Sequence, residues 1–159
     1  MFNLNDNLKN KKFLIYGYGK SGHASYNYLK KNNKISIYDD NKKIKKSFIS
    51  LKKIKSTEFN YIVLSPGIDI NKSRLKNYLK KNKKKIITDL DIFYLNNPNN
   101  LKITITGTNG KSTTAKLLFK ILKDQNKEVI LAGNIGIPIL SKRKISDFSS
   151  NQLFYWSSG

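Results

Sequence analysis

The sequence predicts an α/β protein with parallel strands, built in two successive parts. Three observations carry this. Short apolar runs alternate with amphipathic stretches of helical period, two of the runs end in glycine-rich turns that open into a helix, and a breaker segment, "NNPNN" at 96–100, divides the chain. Strands that alternate with helices at this spacing need crossover connections, which make the strands parallel and give a doubly wound sheet.

In order along the chain, "KKFLIYG" (11–17) is an apolar run stopped by glycine, the pattern of a strand buried on both faces. "SGHASYNYLKKN" reads as a helix and "KISIYDD" (34–40) as a second strand. The lysine-rich "NKKIKKSFISLKKIK" is helical or irregular, with Ile and Leu at core-facing positions. "YIVLSPG" (61–67) is a third strand broken by Pro-Gly, "NKSRLKNYLKKN" a helix, and "KKIIT" a fourth strand. "DLDIFYL" is a short helix that Thr88 is placed to cap. Past the linker, "LKITIT" is a β-branched strand, and "KSTTAKLLFKILKD" a helix with Ala115, Leu118, Phe119 and Leu122 on one face. The predicted parts are residues 1–97 and 98–159.

Composition narrows the function. Cysteine is absent, which excludes a disulfide framework and a thiolate metal site. "MFNLNDNLKNKK" has no apolar core of signal-peptide length, and no apolar run approaches the roughly 20 residues that span a bilayer, so a cytoplasmic protein without membrane contact is expected. A formal charge of +21 invites a nucleic-acid reading. However, of the 31 basic residues only Arg74 and Arg143 are Arg, the residue type that reads base edges, and the lysines are spread along helix faces. They are read as solvated surface, with no nucleic-acid partner.

The first loop, Gly17-Tyr18-Gly19-Lys20-Ser21-Gly22, is G-x-G-x-x-G between a strand and a helix. Glycines there allow a tight turn and let a phosphate approach the helix N-terminus, where free N–H groups and the dipole favour anions. Asp39, about twenty residues on at the end of the next strand, is placed to reach a ribose or base. The motif leaves open which nucleotide binds, and an NAD-dependent dehydrogenase would use it equally. His23, the one histidine, is read as structural.

The second loop departs from G-x-x-x-x-G-K-[ST]: its first glycine would fall at Ile105 and comes instead at Gly107. What remains, Gly107-Thr108-Asn109-Gly110-Lys111-Ser112, keeps the strand–loop–helix context of a P-loop. Its amides can cradle ATP phosphates, Lys111 supplies a point charge, and the Ser112 hydroxyl is placed on Mg²⁺.

Two nucleotide loops in tandem suit neither a dehydrogenase nor a simple ATPase. "GTNGKST" resembles the ATP loop of the Mur ligases, the ATP-dependent amino-acid ligases of peptidoglycan synthesis. "LSPGI" (64–68), "TDLDIF" (88–93) and "GNIGIP" (133–138) are similar to their D-glutamate-adding branch. The resemblance implies a Rossmann-like UDP-substrate domain at 1–97, followed by the start of a P-loop ATPase domain at 98–159. It implies that Gly17, Gly19, Lys20, Ser21 and Gly22 hold the UDP of a muramoyl substrate, with Asp39 near the uridine and Ser65, Pro66 and Gly67 lining the cleft. Gly107, Thr108, Asn109, Gly110, Lys111, Ser112 and Thr113 would hold ATP. Lys111, Ser112 and Asn134 would serve the chemistry, with Ser112 on the metal. The implied substrates are UDP-N-acetylmuramoyl-L-alanine and D-glutamate, joined through an acyl phosphate by a monomeric enzyme. The family often has Thr then Arg after the Asp, where this chain has Asp40 and Asn41.

The resemblance runs to about residue 140. A strand then begins at "NQLFYWSSG", where the family carries a Mg²⁺-binding Glu and this chain has Trp156-Ser157-Ser158-Gly159. The chain is therefore read as an N-terminal fragment, inactive alone. Another Mur-type ligase, or a folylpolyglutamate-type ligase with its similar "GTNGK" loop, is the alternative, though the latter lacks the preceding UDP domain.

Overall fold

The computed structural model describes residues 8–41, 48–98, 101–105, 107–133, 138–141 and 153–157. The chain forms two compact units, Met1–Asn96 and Asn97–Gly159.

In the first unit, β1 (Lys12–Tyr16), β2 (Lys34–Tyr38), β3 (Tyr61–Leu64) and β4 (Ile86–Ile87) form one sheet in the order β2-β1-β3-β4. All three pairings are parallel. The helices are α1 (Lys20–Leu29), α2 (Leu51–Ser56), α3 (Lys76–Lys81) and α4 (Asp89–Asn96). Strand alternation sends Leu14, Tyr16, Tyr38 and Ile62 to one face, where they pack with Ile54 of α2 and Leu79 of α3. Phe13 and Ile15 take the other face; Phe13 stacks on Tyr61 with ring centroids 5.3 Å apart. There α1 lies against β1, β3 and α4. This is the doubly wound α/β arrangement expected, with β1 and β3 buried on both faces as parallel strands require.

Several elements are shorter than predicted, each for a local reason. The helix predicted from Asn71 begins at Lys76 because side chains upstream offer the backbone competing partners. Asp69 Oδ1 accepts from Asn71 N–H at 2.8 Å and Ser73 Oγ from Leu75 N–H at 2.9 Å. The third strand stops at Leu64, before the Ser65–Ile68 turn. The fourth shrinks to two residues because Lys83–Lys85 form a 3-10 turn. Thr88 caps α4 in a reciprocal box: its Oγ1 accepts from Asp91 N–H at 3.2 Å, and Asp91 Oδ2 accepts from Thr88 N–H at 2.7 Å.

The second unit holds β5 (Leu101–Ile105), α5 (Lys111–Asp124), β6 (Val129–Gly133) and β7 (Leu153–Ser157). Its sheet has the order β5-β7-β6 and is parallel throughout. The last strand in sequence is thus the middle one, paired with Leu101–Ile105 on one side and Val129–Gly133 on the other. Helix α5 packs on all three strands; Ala115 is fully buried against them, and Asn126 follows in the left-handed conformation that ends helices. Among the described residues no helix is long and apolar enough to cross a membrane.

Candidate functional site

In the first unit the chain order reverses between β1 and β3: β2 lies on one side of β1 and β3 on the other. Open parallel sheets bind ligands outside the carboxyl ends of strands at such a switch point. The predicted residues 17–22 follow β1, and 65–67 follow β3, so both groups stand at that edge.

The loop is tightly built. Gly17 has φ +91°, a conformation costly for any side chain, and its N–H donates to Tyr38 O at 2.8 Å. The Ser65 hydroxyl donates to Gly17 O at 2.9 Å, so Ser65 holds the loop's shape. A Cβ on Gly22 would lie 1.9 Å from Gly17 O, which explains the third glycine as the place where α1 meets the strand end. A Cβ on Gly19 or Gly67 would meet nothing within 4 Å, so these two leave open space. The first intrahelical bond of α1 is His23 N–H to Gly19 O at 2.9 Å. The amides of Lys20, Ser21 and Gly22 therefore have no acceptor within the helix, and no acidic residue occupies its first turn. The result is an anion-receptive helix end.

Asp39 is turned into the loop: Oδ2 accepts from Tyr18 N–H at 2.6 Å and Oδ1 from Asn41 N–H at 2.9 Å. Its carboxylate fixes the path from β2 onto the glycine turn. Asp40 is the centre of a network the sequence reading missed. Its Oδ2 accepts from Tyr16 OH at 2.5 Å and its Oδ1 from Tyr38 OH at 2.9 Å, while Tyr16 OH also meets Ser73 Oγ at 2.7 Å. Arg74 approaches Asp40 at 4.0 Å from an exposed position and adds little. Burial first, and then the Asp40 hydrogen bond, pushes Tyr38 up to about 12 and raises Tyr16 as well. The available signal was a tyrosine at the end of each of two neighbouring strands, the second followed by paired aspartates. Tyr18, His23, Tyr26 and Phe48 form an aromatic group beside the loop: Tyr18 lies 5.5 Å from His23, 6.0 Å from Tyr26 and 5.5 Å from Phe48 between centroids.

In the second unit, residues 107–110 connect β5 to α5. Gly107 (φ +150°) and Gly110 (φ +74°) take conformations that favour glycine, and Gly110 is the N-cap of α5. The first helical bond is Thr114 N–H to Gly110 O at 3.0 Å, which leaves the amides of Lys111, Ser112 and Thr113 without helical acceptors. Lys111 Nζ donates to Gly107 O across the loop, and Ser112 and Thr113 are exposed. Thr108 and Asn109 lie in the exposed turn. This donor set fits a polyphosphate. Among the described residues no three His, Asp or Glu side chains converge on a possible metal. Asn134 lies outside the described residues.

No protein-family model matches the chain. Among curated proteins it is 38% identical over 139 residues to the UDP-N-acetylmuramoylalanine--D-glutamate ligase of Francisella philomiragia, an alignment covering 86% of this chain and 32% of the relative. The enzyme of the same name from Francisella tularensis subsp. tularensis is 38% identical over 143 residues, 89% of this chain and 33% of the relative. The chain thus spans about a third of the length of the curated relatives it matches. Among solved structures, the UDP-N-acetylmuramate:L-alanyl-gamma-D-glutamyl-meso-diaminopimelate ligase of Neisseria meningitides matches with a TM-score of 0.52 at 14% identity, over 92% of this chain and 52% of that one. That likeness supports the fold.

Proposed function

From the premise that this chain is a homologue of the Mur ligases, similar to their D-glutamate-adding members, we propose that its first unit binds the UDP end of UDP-N-acetylmuramoyl-L-alanine and its second binds ATP. One observation carries the reading. Two glycine loops each feed a helix whose first three amides are free, the first at a switch point and the second with Lys111 and Ser112 in its first turn.

In the first loop the amides of Lys20, Ser21 and Gly22 receive the diphosphate, with Lys20 adding charge. Gly19 and Gly67 leave the space through which the ligand enters, and Ser65 and Asp39 hold the walls. In the second, the amides of Lys111 to Thr113 receive the triphosphate, and Lys111 exchanges its Gly107 carbonyl for a phosphate oxygen. Mg²⁺, held by Ser112 and the phosphates, would offset charge on the transferred group. In the whole enzyme the alanyl carboxylate takes the terminal phosphoryl group of ATP with ADP as the leaving group, the D-glutamate amine attacks the acyl phosphate and gives up a proton, and inorganic phosphate leaves as the amide forms. A cytoplasmic, monomeric ligase of peptidoglycan synthesis goes with this reading.

Calorimetric titration tests it: UDP-N-acetylmuramoyl-L-alanine should bind this chain more tightly than NAD. Equal affinities, or the reverse order, would count against the assignment.

A further inference from the structure

One ionisable group near the first loop has no place in that account. Asp89, the first residue of α4, is 2% exposed. Its Oδ1 accepts from Leu90 N–H at 3.0 Å, whereas Oδ2 is buried without a hydrogen-bond partner. Leaving a buried carboxylate oxygen unpaired is costly, and the cost falls if the group carries a proton. The side chain beside it is Ser21, which acts on the carboxyl as a hydrogen-bonding neighbour although no bond of regular geometry reaches Oδ2. Ser21 is the second residue of α1, so its amide is among those left free at the anion-receptive helix end. The unpaired carboxyl therefore neighbours a residue of the helix end that would receive a diphosphate.

We infer that Asp89 is a positioning residue of the first loop, taking up a proton when a diphosphate binds and thereby presenting the Ser21 hydroxyl to the ligand. A carboxylate would draw the Ser21 proton towards itself and add a like charge behind the ligand. A carboxylic acid donates to Ser21 Oγ, which frees the Ser21 O–H for a phosphate oxygen. Burial raises the affinity of Asp89 for a proton, and the Asp91 charge raises it further, against lowering by the Leu90 amide and Ser21. A dianionic ligand close by acts in the same direction as burial. Other charged or titratable groups on the elements packed against α4 are Lys20, His23, Tyr26 and Tyr28 of α1, while β4 contributes only Ile86 and Ile87. The inference rests on the first loop being a diphosphate site.

The test is calorimetry of the full chain with UDP-N-acetylmuramoyl-L-alanine, whose charge is constant from about pH 5.5 to about 8, in two buffers of different ionisation enthalpy. Wild type should take up a fraction of a proton on binding, and its affinity should weaken with rising pH by as much as about ten-fold per unit, the limit for one proton. Asp89→Asn, whose amide donates permanently, should bind with little proton uptake and a flat profile. Histidine changes charge in the same range, so His23→Gln is the control and should retain the uptake. Binding by wild type without proton uptake overturns the inference and leaves the UDP site standing. So does an uptake that survives Asp89→Asn or disappears in His23→Gln. Absence of any binding overturns both. Wild type and His23→Gln keep the inference open to refutation even if Asp89→Asn fails to fold.

Discussion

Gly22→Ala is the most direct test of how the first loop is built. The added Cβ would lie 1.9 Å from Gly17 O, 2.9 Å from Gly17 C and 3.2 Å from Ser65 Oγ. Lengthening 1.9 Å to the 3.4 Å of an ordinary contact requires α1 and the loop to part by about 1.5 Å. The obstacle is backbone on a residue held on both sides, by Tyr38 O at its N–H and by Ser65 Oγ at its carbonyl, so no side chain can swing away. Overpacking of this kind costs about 1–3 kcal/mol. Replacing glycine by alanine inside a helix returns at most about 1 kcal/mol. With immobile backbone as the obstacle the upper part of that range applies, so the steric effect wins by roughly 1–2 kcal/mol, which in a unit of this size lowers the melting temperature by about 4–16 °C. Gly19→Ala, at φ −78° with open space around its Cβ, should change stability by less than about 1 kcal/mol. Thermal unfolding followed by circular dichroism compares the two, and titration of the folded proteins should show the larger loss of UDP-ligand affinity in Gly22→Ala. A Gly22→Ala protein as stable as wild type would refute the close-approach account of the third glycine.

Lys111→Ala should weaken ATP binding by roughly 10- to 150-fold, the worth of a charged hydrogen bond, while leaving the affinity for the UDP ligand unchanged; titration with each nucleotide separates the two loops. Tyr16→Phe removes the hydroxyl shared by Asp40 and Ser73 and should cost about 1–3 kcal/mol in urea unfolding. Because the folded state raises Tyr16 and Tyr38 above the usual phenol value of about 10, their contribution is complete below about pH 10. It is lost as pH climbs towards about 12, where the unfolded chain ionises first, so stability should fall across that window and fall less in Tyr38→Phe. Asp89 follows the same sign from a lower starting point. Its protonated form is favoured by the fold, so the stability of Asp89→Asn relative to wild type should increase from pH 4 to pH 7.

Much of this molecule was readable because its signals are local. An apolar run such as "KFLIY" has no other place than a two-faced parallel sheet, glycine marks where backbone must bend, and "TDLD" spells out a helix cap that Thr88 and Asp91 make reciprocally. The strand and helix order, the parallel sheets and the positions of both glycine loops follow from such neighbours in sequence. Only tertiary structure decided which distant groups meet. Residues 153–157 pair between strands that precede them by some 50 and 20 residues, a long-range pairing that no local pattern encodes. Asp39, read from the motif, and Ser65, read from the resemblance, as parts of the ligand cleft also hold backbone in this fold, because the sheet edge brings them within hydrogen-bond range of Tyr18 and Gly17. Asp40 acquires the Tyr16 hydroxyl of β1 as a partner and, through that hydroxyl, is linked to Ser73. Asp89 acquires its significance from being buried beside Ser21, because burial turns an ordinary helix-start carboxylate into one that seeks a proton.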